Sequence, residues 1–234
     1  MKEIESVADR ISAVEAKITA ACVRAKRKRE DIRVVGVSKL QPAEKVRSAV
    51  SAGLSNLGEN YVQELLSKQF ELKAQKIHWH FIGPLQTNKV KSIIGKVELI
   101  HTLDRESLAL EISKCASKAG IIQNCLLQVN IACEDTKSGC APNIAKTLLE
   151  KFSNMKGLRV SGLMVMPPLS ESPEISRPHF RRTGDLLAEI NSDRGGRDAL
   201  TLLSMGTSQD FEVAIEEGAT HIRVGTTIFG ERGY

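Results

Sequence analysis

The chain has few aromatic residues and no long apolar run. Aromatics make up 4% of its 234 residues. Proteins that bind single-stranded nucleic acid stack bases on aromatic side chains, so an RNA-binding module is disfavoured although the formal charge of +5 favours anionic partners. No stretch approaches the roughly 18 consecutive apolar residues of a membrane span, and the N-terminus carries charges throughout. We expect a cytoplasmic protein that binds neither nucleic acid nor membrane.

Paired cysteines are also absent. The chain has an odd number of cysteines and no CxxC motif, which argues against a zinc ribbon and a closed disulfide framework. The five are Cys22, Cys115, Cys125, Cys133 and Cys140. In the "HWH" stretch, His78 and His80 share one strand face, but no third metal ligand lies nearby in the sequence. We therefore expect a reducing compartment and no metal, with His80 kept as a residue that could contact a ligand.

The rest of the chain alternates between short apolar runs and helical patterns. Residues 4–27 form an amphipathic stripe that predicts an N-terminal helix. Strand candidates follow at 33–38, 54–60, 77–83, 97–103, 125–131, 158–166, 200–206 and 221–225. A helical pattern follows each of the first seven, so the strands are expected to be parallel, and eight parallel strands close a barrel.

A doubly wound sheet is the competing fold. It usually has a glycine-rich dinucleotide turn after its first strand, and "VSKLQP" at 37–42 has none. We therefore predict an α/β protein with a (β/α)8 TIM barrel and one domain over 1–234. No helix is expected after the last strand, where the N-terminal helix would cover the wall. The proline-rich segment 166–180 is expected to be a loop, either a lid or an inert connection.

Candidate functional residues follow the predicted strands. Chemistry in such barrels takes place at the carboxyl ends of the strands. Those positions hold Lys39 after strand 1, Glu59 and Asn60 after strand 2, Gly83 after strand 3, Ser204 to Ser208 after strand 7, and Arg223 to Thr226 after strand 8. We expect these residues to meet at one rim of the barrel.

The ends of strands 7 and 8 are where barrels frequently bind phosphate. Gly206 and Gly225 allow an anion to approach the backbone. Hydroxyl donors come from Ser204, Thr207, Ser208, Thr226 and Thr227. These residue types are also common in ordinary turns, but two such turns on neighbouring strands favour a phosphate site.

Lys39 adds a second requirement for the ligand. A lysine amine whose pKa is lowered condenses with a carbonyl group to form a Schiff base. A phosphorylated, carbonyl-bearing ligand satisfies both the lysine and the phosphate turns. Pyridoxal 5′-phosphate (PLP) fits, and so does the substrate of a sugar-phosphate aldolase, so these residues alone leave both open.

Four segments together resemble one family. "VGVSK" at 35–39, "GENYVQE" at 58–64, "IHWHFIGPLQTNK" at 77–89 and the stretch 202–232 are similar to the YggS/PROSC family of pyridoxal phosphate homeostasis proteins. The resemblance runs in order along nearly the whole chain. It implies a fold type III PLP barrel, like the N-terminal domain of alanine racemase.

The resemblance also assigns roles to particular residues. It implies that Lys39 holds PLP as a Schiff base, that Asn60 lies near the ring and that Arg223 faces the pyridine nitrogen. The residues implied around the phosphate are Ser204, Met205, Gly206, Gly225 and Thr226. Thr207 stands where the family often has methionine, in "SMGMS", which puts only local packing in doubt.

Arg223 bears on whether the protein is an enzyme. A permanently charged arginine keeps a facing ring nitrogen unprotonated, which makes the cofactor a poorer electron sink. A pairing of Arg223 with Glu231 is the alternative role. Racemases of related fold take their second base from an additional C-terminal domain, and this chain stops at Tyr234, just after strand 8.

The expected function is therefore non-enzymatic. We expect a PLP-binding protein of intracellular PLP homeostasis, and a PLP-dependent amino acid racemase of low activity is the alternative. The expected partner is PLP itself, with PLP-requiring apoenzymes left open as recipients. A monomer is expected because the additional domain that usually forms the dimer is missing.

Overall fold

The sheet is a closed barrel of eight parallel strands in sequence order. The computed structural model describes residues 6–134, 136–168, 170–194 and 199–231. The strands are β1 (Arg33–Val37), β2 (Asn56–Glu59), β3 (His78–Phe81), β4 (Leu99–Leu103), β5 (Gln123–Val129), β6 (Leu158–Val165), β7 (Leu202–Thr207) and β8 (His221–Val224). β8 pairs with β1 and closes the sheet, with Val35 opposite Arg223. The predicted TIM barrel is confirmed.

Helices surround this sheet. They are α1 (Val7–Arg24), α2 (Ala43–Ser51), α3 (Val62–Glu71), α4 (Val90–Ile93), α5 (Glu106–Lys118), α6 (Ala145–Ser153), α7 (Arg177–Asp193), α8 (Phe211–Glu216) and α9 (Thr226–Phe229). Each of the seven predicted helical patterns after a strand overlaps one of them. Among the residues that the structure describes, no helix has the length and apolar character needed to cross a bilayer.

The N-terminal helix α1 closes the outer wall of the barrel. Ser6 caps it, because its hydroxyl accepts from the Asp9 amide while the Asp9 carboxylate accepts from the Ser6 amide. The buried face of α1 includes Val14 and Ile18, and the helix packs against α2, α8 and α9. The predicted cover over this part of the wall is confirmed. Residue 4, the first predicted position of the stripe, lies outside the described residues.

Two sequence expectations near the rim were wrong in detail. A helix does follow the last strand, since α9 makes one turn immediately after β8, and four residues are too few to show a helical period in the sequence. The segment 166–180 is not all loop, because a 3-10 turn occupies Pro173–Ser176 and α7 begins at Arg177. Proline fits the first turn of a helix, so Pro178 does not interrupt α7.

The main apolar core lies between the strands and the helices, where side chains such as Leu57, Phe81 and Ile112 are fully buried. Alternate residues of each strand point into the barrel instead. There a small apolar group formed by Leu99, Leu126 and Met164 is separate from the main core. The remaining interior contains several buried polar side chains, which connect the barrel to the candidate site.

Candidate functional site

Lys39 lies in the turn that follows β1 and is half-buried. It lines a small cavity together with Gly225 and Thr226, which follow β8. Because β8 and β1 are neighbours in the closed barrel, the turns after both strands share one rim. The structure therefore brings the predicted lysine next to two of the predicted phosphate-binding residues.

A buried ionic cluster holds the turn that carries Lys39. We call Ser38, Glu59, Glu64 and Lys68 the clamp. Lys68 Nζ donates to the Ser38 carbonyl at 2.5 Å and to Glu59 Oε1 and Glu64 Oε1, both at 2.7 Å. The Ser38 hydroxyl donates to Glu59 Oε1 at 2.6 Å, and the Leu40 amide donates to Glu64 Oε1 at 2.6 Å. The backbone on both sides of Lys39 is thus fixed by hydrogen bonds.

Within the clamp, Glu59 is fully buried. Burial raises the pKa of its carboxyl group, while Lys68 and the hydrogen bond from Ser38 oppose that rise. Glu59 Oε2 is a buried oxygen without a hydrogen-bond partner among the described residues. The carboxylate therefore depends on Lys68 for its charge balance. Sequence reasoning named Glu59 but missed Lys68, for which the four-residue spacing from Glu64 on α3 was the available signal.

Arg223 points into the barrel from β8 and is buried. Its Nη1 donates to Ser204 Oγ at 2.6 Å, and its Nη2 donates to the Val165 carbonyl at 2.9 Å. Burial lowers the pKa of Arg223 to about 10, so the group is still charged at neutral pH. Its hydrogen bonds within the described residues go to Ser204 and Val165, so the alternative pairing with Glu231 was wrong.

The turns after β7 and β8 lie side by side. Gly206 has φ +89°, and a Cβ there would come within 2.6 Å of the Ala214 side chain, so glycine is required where β7 meets α8. A Cβ on Gly225 would lie 3.3 Å from Val37. Ser208 Oγ accepts from the Gly225 amide at 3.1 Å and from the Thr227 amide at 3.4 Å, which joins the turns. This set of backbone amides and hydroxyls fits a phosphate group.

Three strand 7 residues that the sequence predicts near the phosphate have side chains that contact other parts of the protein. The side chain of Met205 packs in the main apolar core, so its backbone is the part left for a ligand. The Thr207 hydroxyl donates to Asp210 Oδ1 at 3.0 Å. The Ser204 hydroxyl contacts Arg223 and His101 inside the barrel. Ser204 is therefore associated with the arginine, whereas Gly206 belongs to the phosphate turns.

Asn60 follows β2 at the same rim and is partly exposed. Its backbone is held closely by the next strand, because a Cβ on Gly83 would overlap the Asn60 carbonyl oxygen at 2.2 Å. Thr102 Oγ1 donates to the Gly83 carbonyl at 2.7 Å and fixes that turn from β4. Gly83 thus acts through its lack of a side chain, and Asn60 keeps a defined place at the rim.

Sequence reasoning missed two histidines that join His80 inside the barrel, His101 and His221. The ring centroids are 5.2 Å apart for His80 and His101, and 6.0 Å from each of these to His221. His78 is exposed and pairs with Glu98 instead. Among the described residues, no group of histidine, cysteine or carboxylate side chains is arranged to hold a metal ion.

Burial keeps these histidines neutral. Burial and nearby cations lower the pKa of His80 to about 3 and that of His221 to about 4, and the pKa of His101 is lowered as well. An ordinary histidine titrates near pH 6.5. The unfolded chain therefore binds more protons than the folded chain between these values.

We expect acid to destabilise the fold through these histidines. Their stabilising contribution is complete above about pH 6.5 and is lost as the pH falls toward 4 and then 3. Near pH 5, each fully shifted histidine should remove about 1.4 kcal/mol of unfolding free energy per pH unit. Glu59 acts in the opposite direction because its pKa is raised. Denaturant titrations at pH 7.5, 6 and 5 measure the net slope.

A matched pair of variants isolates the histidine contribution. His221→Gln should reduce the dependence of unfolding free energy on pH between 6.5 and 5. His179→Gln replaces a histidine of α7, outside the barrel interior, and should leave the dependence close to that of the unmodified protein. Equal slopes for all three proteins would contradict the assignment of this acid sensitivity to the buried rings.

Comparisons with known proteins identify the family of the chain. Residues 13–233 match the model for the alanine racemase N-terminal domain. The "Pyridoxal phosphate homeostasis protein" of Aquifex aeolicus is 49% identical over 226 residues, covering 97% of this chain and 98% of the relative. That of Pseudomonas aeruginosa is 39% identical, covering 99% and 98%. The structure of PipY from Synechococcus elongatus with PLP bound is 31% identical, with a TM-score of 0.83 and coverage of 96% and 100%.

The fold and the site define a barrel of the alanine racemase N-terminal domain class. Within that class the relatives share nearly the whole length of the chain at high identity. The chain belongs to the pyridoxal phosphate homeostasis protein family, the YggS/PROSC family. The resemblance inferred from the four sequence segments is therefore confirmed.

Proposed function

We propose that this protein binds PLP at the rim formed by β1, β7 and β8, and that it serves in PLP homeostasis as a carrier. The observation that carries the proposal is the single cavity shared by Lys39, Gly225 and Thr226. At the edge of this cavity, the Lys39 amine would condense with the cofactor aldehyde, forming a C=N bond and releasing the aldehyde oxygen as water. Bound PLP supplies the aldehyde and a conjugated ring that can withdraw electrons.

The phosphate would be held by the turns after β7 and β8. The Gly225 and Thr227 amides already point toward an oxygen, that of Ser208, so backbone donors for an anion are present in this region. Thr226 is exposed to the cavity that Lys39 also lines. The distance between aldehyde and phosphate in PLP would then be spanned across the β8–β1 edge.

Arg223 supports a carrier over a catalyst. Two hydrogen bonds hold its guanidinium inside the barrel, where it stays charged. A cation that cannot accept a proton disfavours protonation of a facing ring nitrogen, so less negative charge is withdrawn from a bound amino acid. Racemisation also needs a base on each face of the substrate.

The direct test is the visible absorption spectrum of the purified protein with PLP, before and after borohydride, followed by peptide mapping. We expect a visible band that borohydride removes and a reduced adduct on Lys39. Incubation with free L- and D-amino acids tests the catalytic alternative, and we expect no turnover. A protein that takes up no PLP would contradict the proposal, and sustained amino acid racemisation would replace the carrier with a racemase.

Thr226→Val should weaken PLP retention. The substitution removes a hydroxyl donor near a charged phosphate, and a hydrogen bond to a charged group contributes about 1.5–3 kcal/mol. That corresponds to a roughly ten- to hundredfold higher dissociation constant, which equilibrium dialysis or fluorescence titration measures. Thr201→Val, at an exposed threonine just before β7, is the control and should bind PLP normally. Equal retention by both variants would move the phosphate away from Thr226.

The proposal also covers the domain organisation, oligomeric state, location and partners of the protein. We infer one PLP-binding domain over residues 1–234, a monomer in the cytoplasm, and PLP-requiring apoenzymes as recipients. All five cysteines are free, as a reducing compartment allows. Light scattering tests the monomer, and transfer of PLP to an added apoenzyme, followed by that enzyme's activity, tests the recipients.

A further inference from the structure

Polar side chains inside the barrel form one continuous chain of hydrogen bonds. We call Ser204, His101, His80 and Asn56 the relay. Ser204 Oγ lies 2.8 Å from His101 Nδ1, His101 Nε2 lies 3.0 Å from His80 Nδ1, and His80 Nε2 lies 3.1 Å from Asn56 Oδ1. Arg223 joins its upper end through Ser204. The relay therefore runs along the interior from the candidate cofactor rim toward the amino ends of the strands.

The lower end fixes the direction of every hydrogen bond in the relay. Asn56 Nδ2 donates to Ser55 Oγ at 3.2 Å, and Arg33 Nη1 donates to Asn56 Oδ1 at 3.4 Å, so the amide oxygen faces His80. An amide oxygen only accepts. His80 Nε2 must then carry a hydrogen, and in a neutral ring its Nδ1 must accept.

The upper half of the relay has the same direction. Since His80 Nδ1 accepts, His101 Nε2 must donate, and His101 Nδ1 is left as an acceptor for the Ser204 hydroxyl. Ser204 Oγ can at the same time accept from Arg223, which only donates. The acceptor at one end, Asn56 Oδ1, and the donor at the other end, Arg223, therefore require the same direction of hydrogen bonds along the relay. The lowered pKa values of the two histidines agree with neutral rings.

The members of the relay are too deeply buried to be replaced by water. Ser204 is 1% exposed, and His80 and His101 are both 0% exposed. A buried polar group without a partner is costly, and a network in which each group is satisfied selects one arrangement. Leu99, Leu126 and Met164 fill another part of the interior with apolar side chains, so the barrel also accommodates apolar residues at inward positions.

We propose that His101 and His80 are positioning residues that set the direction of the Ser204 hydroxyl and thereby the orientation that Arg223 presents to the bound ring. Neither histidine needs to touch the cofactor for this role. The inference rests on the proposed PLP function for its effect on the ring, whereas the direction of the relay is a property of the protein alone. The direction of the relay and its effect on the bound ring can therefore be tested separately.

Nitrogen-15 NMR of histidine-labelled protein without cofactor tests the direction. We expect His80 and His101 to be neutral with hydrogen on Nε2 and none on Nδ1, assigned by comparison with His80→Gln and His101→Asn. Hydrogen on Nδ1 of either ring, or a charged ring at neutral pH, would overturn the relay whether or not PLP binds.

Variants with PLP test the positioning role. His101→Leu removes the acceptor for Ser204 and should shift the visible band of bound PLP and raise the PLP dissociation constant about tenfold, the effect of one lost hydrogen bond. His101→Asn places an amide oxygen near the position of Nδ1 and should restore the band. His78→Leu, outside the relay, is the control. An unchanged band and affinity in folded His101→Leu would overturn the role.

Ser204→Ala keeps the test decisive if His101→Leu does not fold. Removing the hydroxyl breaks the link between His101 and Arg223 with little change of volume, so the band of bound PLP should shift as in the leucine variant. The chemical shift of His101 Nδ1 should also change because its donor is lost. If neither the band nor the shift changed, the proposal would be wrong. If unmodified protein took up no PLP, the NMR result would still decide the relay.

Discussion

Lys39→Ala is expected to abolish borohydride-trapped PLP while leaving the fold intact. Lys39 is half-buried in a turn at the rim, outside the apolar core. The backbone around it is held by the clamp through Ser38 and Leu40, neither of which uses the lysine amine. Without the amine, no C=N bond can form at this position. PLP binding should become noncovalent and weaker, because the turns after β7 and β8 are unchanged.

The measurement is mass spectrometry of protein treated with PLP and borohydride, together with the thermal midpoint. Lys91→Ala, at an exposed lysine of α4, serves as control and should keep the full adduct. An undiminished adduct in Lys39→Ala would contradict the assignment of Lys39. Lys137 would then be the first residue to map, since it lines a neighbouring cavity with Met166 and Thr207.

The barrel could be predicted because its signals are local. Each strand is a short apolar run, and a helical pattern separates it from the next, so counting these units gave eight strands. The rim residues followed from the rule that chemistry lies after the strands. Lys39 and Gly225 are distant in sequence, yet they share a cavity because β8 closes onto β1. Predicting that contact required only the order of the strands in the barrel.

The interior of the barrel could not be predicted in the same way. His101 lies in the run "VELIHTL", where alternation places it inward but does not identify its partners. Its contacts are His80 from β3 and Ser204 from β7, and the sequence does not report which inward positions share one level of the barrel. That level depends on the stagger of the strands, which is a property of the closed sheet.

The buried, ion-paired position of Lys68 could not be predicted for a different reason. On α3 it occupies a position that would ordinarily be solvated, since a lysine on an amphipathic helix usually extends into water. Here the side chain is 5% exposed because Glu59 and Ser38 provide acceptors at the end of the neighbouring strands. The pairing is therefore created by tertiary contacts, and the helical pattern alone favours the opposite placement.

Lys68→Met is expected to destabilise the protein by about 3–5 kcal/mol, the usual effect of removing one partner of a buried ion pair. Methionine has similar length but cannot donate, so Glu59 would be left with a buried negative charge and the hydrogen bond from Ser38. Glu59 would respond by taking up a proton, because burial already raises its pKa. Denaturant unfolding at pH 7.5 measures the loss.

Two further variants determine whether that loss comes from the buried charge. Lys114→Met removes the cation of an exposed pair with Glu111 and should change the unfolding free energy by only about 0–1 kcal/mol. Adding Glu59→Gln to Lys68→Met removes the uncompensated charge and should recover part of the stability. If Lys68→Met cost no more than Lys114→Met, the clamp would not be an energetic unit. If Lys68→Met lowers the unfolding free energy by the expected amount, a lysine on the neighbouring helix α3 stabilises the turn that carries Lys39.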